Sequence, residues 1–265
     1  MLIAQLSDPH VVPEGELYHG LVDSNGMFRA AIAQLKALRP APDLVVISGD
    51  LVDGGTAEEY RLVRQMLGAI EQPLLIIAGN HDEREAFRAE FGDWPFVAKA
   101  GPLHFAADGY GPVRIVGLDV TVPGSHHGDF DAAAEAWLEA VLASAPERPT
   151  LIVMHQPLFE SGIGFLDPYR CFGGERLAAM VSRYRAVEAV LCGHVHRLMQ
   201  VRFGGTVAMT APSTASAIAL KLEPGAAPAS LLEPPGLLLH HWREAQGLVT
   251  HLVPIGNFGP EMAFF

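Results

Sequence analysis

The sequence predicts a mixed α/β fold, and three observations carry that reading. Apolar runs of strand length alternate with amphipathic helical stretches through about the first 200 residues. Beyond Cys192 the helical pattern stops and strand pairs take over. Five of the apolar runs, residues 2–7, 44–48, 74–78, 151–154 and 187–192, are each followed at once by polar residues of metal-ligand type. Strands ending together at one edge of a sheet would gather those residues in one place.

Taken in order, residues 25–38 set Met27, Phe28, Ala31, Ile32, Leu35 and Leu38 at helical spacing, and Arg39-Pro40 ends the pattern. Thr56 is placed to cap a second helix, with Glu58 and Glu59 in its first turn and Leu62, Val63, Met66 and Leu67 along one face. Further helices are expected over 82–91, 131–143 and 174–184. Strands 103–107 and 113–120 flank Asp108-Gly109-Tyr110-Gly111, and strands 198–203 and 206–210 flank Gly204-Gly205, a two-residue hairpin signal. Strands 237–242 and 248–253 make a last hairpin. Before it, residues 221–236 carry Pro224, Pro228, Pro234 and Pro235, which exclude a central strand or an ordinary helix. This stretch reads as an excursion from the core, a cap or an oligomer contact. No repeat or linker interrupts the chain, so residues 1–265 are expected to form a single domain.

Composition narrows the function. With 49% apolar and 18% charged residues the chain is suited to a packed enzyme core rather than disorder. A formal net charge of −12 argues against a nucleic-acid polymer as partner, because phosphate backbones are gripped by basic faces. A small anionic substrate stays open, since bound divalent cations reverse the local field. Cys171 and Cys192 lack metal or redox spacing and read as buried thiols. No signal-like leader and no apolar stretch of about 18 residues is visible, so a cytoplasmic protein without membrane contact is expected.

The polar clusters are Asp8-Pro9-His10, Gly49-Asp50, Gly79-Asn80-His81-Asp82, His155 and Gly193-His194-Val195-His196. Carboxylate, amide and imidazole donors without a thiolate suit hard or borderline divalent ions. In an extended chain Asp8 and His10, two apart, would point the same way. Asp50, with two carboxylate oxygens, is the natural bridge between two metals. Asn80 adds a neutral oxygen. The glycine of Gly193-His194-Val195-His196 would permit close backbone approach. Two adjacent ions suit in-line attack on phosphorus.

In this order, the pieces resemble the calcineurin-like metallophosphoesterase superfamily, with the pattern D-x-H, G-D, G-N-H-[DE], H, G-H-x-H over residues 2 to about 200. The resemblance implies a four-layer αββα sandwich of two mixed sheets flanked by helices. It implies two divalent ions, drawn from Mn, Fe, Co or Zn. Asp8, His10, Asp50 and His196 would hold one, and Asp50, Asn80, His155 and His194 the other, with a bridging hydroxide as nucleophile. His81 matches a histidine that stabilises the transition state or protonates the leaving group; a passive orienting role for Asp8 is the alternative. With Asp82 closing the motif, and with stretches around Tyr18–Asp23, 46–52 and 167–171, the chain is similar to the class III cyclic nucleotide phosphodiesterases, and among them to bacterial glycerophosphodiesterases. His155-Gln156-Pro157-Leu158 departs from the group's frequent His-His-Pro-Pro, which removes a substrate-side histidine.

The expected function is therefore hydrolysis of small phosphodiesters, glycerophosphodiesters or 3′,5′-cyclic nucleotides. A phosphomonoesterase and a non-catalytic metal-binding scaffold are the alternatives. Substrate contacts are expected from Asn80, His81 and, in the loop His126-His127, from His127. His19 is a weaker candidate of the same kind, while His104, His240, His241 and His251 read as structural and Arg170 and Arg197 as surface residues. The apolar, proline-rich C-terminal third is compatible with a homo-oligomer.

Overall fold

The computed structural model describes residues 1–260 and 262–264. The chain begins β1 (Leu2–Leu6), α1 (Ser24–Ala37), β2 (Leu44–Ser48), α2 (Ala57–Leu67), β3 (Leu74–Ile77) and α3 (Arg84–Phe91). It continues through β4 (Phe105–Ala107), β5 (Arg114–Gly117), β6 (Gly128–Asp129), α4 (Ala132–Ser144), β7 (Thr150–Val153), β8 (Cys171–Phe172), α5 (Gly174–Val181) and β9 (Val187–Cys192). Six strands follow: β10 (Met199–Phe203), β11 (Thr206–Thr210), β12 (Ala217–Ile218), β13 (Ser230–Leu231), β14 (Gly236–Arg243) and β15 (Gly247–Pro254).

Two mixed sheets carry the fold, a five-stranded one in the order β15-β14-β1-β2-β3 and a six-stranded one in the order β10-β11-β9-β7-β5-β4. Within them β1, β2 and β3 run parallel, as do β5, β7, β9 and β11. The sheets stack face to face: Ile3, Val46, Leu75 and Leu238 of one meet Ile115, Leu151, Val153 and Leu191 of the other in one buried cluster. The alternate residues of the same strands face outward. Ala4, Leu6, Val45 and Ile47 pack on Phe28, Ile32 and Leu35 of α1 and on α2 and α3. Val116, Ile152 and Val190 pack on Leu138 and Leu142 of α4 and on Leu177 and Met180 of α5. Helices therefore cover both outer faces, which is the expected αββα sandwich. Strands buried on both faces must be apolar throughout, which is why the runs are continuous rather than alternating.

The helices start where side chains can satisfy their free N–H groups. Thr56 and Glu59 form a reciprocal capping box on α2. Along α1, Phe28, Ala31, Ile32 and Leu35 are buried on one stripe, worth roughly 1.5–3 kcal/mol for each large side chain. Two helix boundaries differ from expectation. Helix α3 begins at Arg84 rather than at 82, because the Glu83 side chain accepts from Ala86 N as its cap while Asp82 is used elsewhere. Helix α5 ends at Val181, three residues early, and Arg183 and Tyr184 continue only in turns. The hairpin β10–β11 turns at Gly204 and Gly205, with φ of +55° and +90°, as the glycine pair requires. Among the described residues no helix is long and apolar enough to cross a membrane.

Candidate metal centre

The five ligand-bearing segments leave the C-terminal ends of β1, β2, β3, β7 and β9. These strands are parallel neighbours in their sheets, so all five ends emerge on one edge of the sandwich. Asp8 and His10 do not continue extended, as the sequence reading assumed. Five of the seven donors turn into the left-handed region: Asp8 (φ 51°), His10 (42°), Asp50 (48°), His194 (70°) and His196 (55°). Such backbone costs of order 1–3 kcal/mol per non-glycine residue, and it persists only where neighbours enforce it. Here the turns are tied together, His10 N donating to Asp50 O at 3.1 Å and His194 N to Asp8 Oδ1 at 3.0 Å. The sheets also close on one another at this edge. A Cβ on Gly193 would lie 2.2 Å from Ser7 Oγ and 2.9 Å from Asp8 Oδ2, and one on Gly79 would lie 2.2 Å from Asp50 Oδ1. Only glycine fits at either position.

Six of the seven donors converge in two groups, Asp8 with His10 and His196, and Asp50 with His155 and His194, and His10 also clusters with Asp53 and His81. Asp50 stands between them, its Oδ2 being 3.7 Å from His10 Nε2 and 3.1 Å from His155 Nε2. His10 Nε2 and His196 Nε2 approach to 3.1 Å, and His196 Nε2 lies 3.5 Å from Asp8 Oδ1. The remote nitrogens are engaged: His155 Nδ1 donates to Ser48 O and His196 Nδ1 to Ser216 O, each at 2.8 Å. That bonding leaves both Nε2 atoms to face the centre. The fit to cations rests on what remains. His194 Nε2 and Asn80 Oδ1 are buried without a hydrogen-bond partner, a cost of roughly 1–3 kcal/mol each that a bound cation removes. The set is oxygen and nitrogen only; Cys192, one residue before the last motif, is buried and takes no part.

Electrostatics prepare the donors. Burial alone would raise Asp50, yet the facing His155, His81 and His10 hold its carboxyl well below the usual range. Asp8 is likewise lowered, His196 outweighing burial. Burial pushes His194 down to about 3, so it stays neutral and able to ligate. For His81 burial works the other way and is overcome by Asp50 and Asp53, which lift it to about 10. Its Nδ1 donates to Asp53 O at 2.9 Å and lies 3.1 Å from Asp53 Oδ1, leaving Nε2 for the pocket.

That pocket is about 590 Å³ and is lined by His10, Asp50, Asn80, His81, His194 and His196, with Tyr18, Phe165, Tyr169 and Ile218 among its walls. No lysine or arginine lines it. His126 is in the wall, its Nδ1 3.1 Å from Asn80 Nδ2, and His19 is there too. His127, the expected substrate contact, turns the other way and packs edge-on against Phe172. His104 stacks on Trp137 and accepts from Asp119 N. His240 lies buried between Gln5 and Thr250, while His241 and His251 sit in the terminal hairpin.

Several residues build the site in ways no sequence spacing specifies. Asp82 accepts from Gly79 N (2.8 Å), Leu51 N (3.1 Å) and Tyr60 OH (2.9 Å), stapling the second and third motif loops together; burial, then Asp50, push it up to about 7. Gln5 donates to Ser48 Oγ and to Cys192 O, gripping the last residues of β2 and β9 across the gap between the sheets. Tyr18 stacks on the His10 ring at 4.6 Å. Arg84 holds Asp119 and Thr121 O, the root of the loop that carries His126.

A metal-binding edge shared by two stacked sheets, with an acid-capable histidine beside it, defines a metal-dependent phosphoesterase. A family model described as calcineurin-like phosphoesterase matches residues 1–198, and the chain belongs to that family. The family works through a divalent metal centre, in keeping with the two donor groups. The chain is 34% identical over 266 residues to the probable glycerophosphodiester phosphodiesterase GpdQ of Arcobacter nitrofigilis, covering 100% of this chain and 97% of that one. It is 28% identical over 217 residues to the 3′,5′-cyclic adenosine monophosphate phosphodiesterase CpdA of Escherichia coli K12, covering 80% and 75%. In fold it is similar to a dimetal phosphatase from Danio rerio, with a TM-score of 0.63, 16% identity, and 97% and 99% of the two chains covered.

Proposed function

We propose that this phosphoesterase hydrolyses small phosphodiesters, glycerophosphodiesters before cyclic nucleotides. One observation carries the choice of a diester: a pocket lined by five of the seven metal donors and His81, with no lysine or arginine in its lining among the described residues. A monoester dianion offers three terminal oxygens and asks for a guanidinium fork; a diester carries a single charge and does not. Arg170 and Arg197 are engaged within the protein, Arg170 by Asp167 O and Arg197 by Ile218 O and Glu233.

Asp8, His10, Asp50 and His196 would hold one divalent cation and Asp50, Asn80, His155 and His194 the second; Mn, Fe, Co and Zn all suit these donors. When bound, the pair supplies Lewis acidity and lowers the pKa of water at the site. Asp50, at the end of β2 and between the two donor groups, would offer its carboxylate to both positions. Asn80, neutral, keeps its side of the site more electrophilic than a carboxylate would. His81, its Nδ1 held by Asp53, presents Nε2 as the proton donor for the departing oxygen, an effect of about 10²–10⁴ in rate. The reading as a non-catalytic scaffold requires lost donors, and none is lost.

The cyclic nucleotide reading is supported by the aromatic walls Tyr18 and Tyr169, which suit a base, and by the likeness to CpdA. The deciding measurement is kcat/KM for glycerophosphoethanolamine against 3′,5′-cyclic AMP, with metal-free protein reconstituted with Mn²⁺. Preference for the glycerol diester supports the first reading and preference for the cyclic nucleotide the second. Turnover of phosphomonoesters alone would refute both.

A further inference from the structure

One pocket wall is built differently from the rest. Residues 217–233 form a short two-stranded flap in which Ala217↔Leu231 and Ile218↔Ser230 pair and Ala219 N donates to Ala229 O at 2.9 Å. It places Ile218, Pro228, Ala229 and Ser230 on the pocket, while a second cavity of about 410 Å³ lies behind it, lined by Ala217, Glu233 and Pro234. Leu222, Leu231 and Leu232 of the flap are 60%, 48% and 71% exposed, so core burial contributes little to holding it. Ile218 packs against the small cluster of Ile163, Leu166 and Val195. The firm attachments come from the last metal motif. His196 Nδ1 holds Ser216 O at the flap's root, and Arg197, the next residue, reaches β12 and the segment that follows β13 at once. Its guanidinium donates to Ile218 O at 2.8 Å and to Glu233 Oε2 at 2.9 Å.

We propose that Arg197 is a positioning residue for substrate selection: it pins the flap as the pocket's outer wall and so limits the size of the alcohol group the site accepts. The proposal rests on the phosphodiesterase reading. The residue expected to be an ordinary surface arginine is 20% exposed, and its charge is spent inside the protein rather than on phosphate. A wall with open space on both faces and two short strands has little else to fix its position. Selection by size follows because the cations and His81 act on phosphorus whatever the alcohol, whereas the flap meets the alcohol.

The test uses Mn²⁺-reconstituted full-length protein with glycerophosphoethanolamine as compact diester and bis(4-nitrophenyl) phosphate as bulky one. In Arg197→Ala the ratio of kcat/KM, bulky over compact, should rise about fivefold to tenfold through KM, with kcat and metal content held. Glu233→Gln, remote from the metal donors, should move the ratio the same way by less, and the double variant should add little. Amide exchange at 218, 219 and 231 should quicken in both variants. An unchanged ratio with unchanged exchange would overturn the proposal. So would equal losses on both substrates tracking a fall in Tm, the mark of a merely structural role. Wild-type protein inert toward both diesters would refute the phosphodiesterase reading and the selection role with it, while exchange would still decide whether Arg197 pins the flap.

Discussion

Replacing Arg84 with methionine probes how the His126 loop is held over the site. The Asp119 carboxylate, 1% exposed, receives Arg84 Nε at 2.7 Å and a second guanidinium nitrogen at 3.0 Å. Leu103 N, Thr121 N and Thr121 Oγ1 also donate to it. Removing one partner of a buried pair costs about 3–5 kcal/mol when the remaining charge is stranded. Here three donors survive and Arg84 is 22% exposed, so about 2–3 kcal/mol is expected, or a Tm lower by roughly 5–10 °C for a chain of this size. The pH dependence gives the sharper test. Burial would raise Asp119, but Arg84 and the Leu103 and Thr121 donors bring its folded pKa below the ordinary value. A depressed folded pKa means stabilisation that is complete above the unfolded value of about 3.9 and lost as pH falls through the folded one. In Arg84→Met the folded value rises, so the gap between the two proteins is widest near neutrality and closes below about pH 4. Urea unfolding of both metal-free proteins by circular dichroism measures the gap directly. The same gap at pH 7 and pH 3.5, or none at pH 7, would refute the reasoning.

Gly193→Ala should weaken Mn²⁺ binding at least about tenfold by calorimetry, because the new methyl group drives Ser7 and Asp8 away from the last motif; an unchanged Kd would show that the sheets can part without disturbing the donors. Asp53→Asn should lower kcat about 10- to 100-fold with folding intact, since one carboxylate oxygen lies 3.1 Å from His81 Nδ1 and 3.5 Å from His10 Nδ1. Steady-state kinetics with wild-type kcat would remove Asp53 from the site. His126→Ala should raise KM for a diester about three- to tenfold and His127→Ala should leave it alone; the reverse order would contradict the loop's placement.

Local chemistry was legible before the structure. Apolar runs buried on both faces, the Thr56–Glu59 capping box, the Gly204-Gly205 turn and the donor types behind five strands all depend on residues within a few positions of one another. Period, backbone preference and ligand chemistry act at that range, so sequence alone determined the sandwich's elements and the candidate donors that follow its strands. The left-handed turns of Asp8, His10 and Asp50 escaped, because no single residue type calls for them and only the junction of two sheets enforces them.

Tertiary structure decided the partnerships. Asp8 meets His194 N from 186 positions away and His240 meets Gln5 from 235, while Arg84 finds Asp119 at 35 and Arg197 finds Glu233 at 36. Such pairs follow from which strands lie side by side, and no spacing rule encodes strand order. His126 and His127 show the point at the smallest scale. They are adjacent and chemically identical, and only the path of the loop, fixed by Gly128 pairing with Cys171 and by Gln156 donating to His126 O, sends the first toward the metal site and the second toward Phe172.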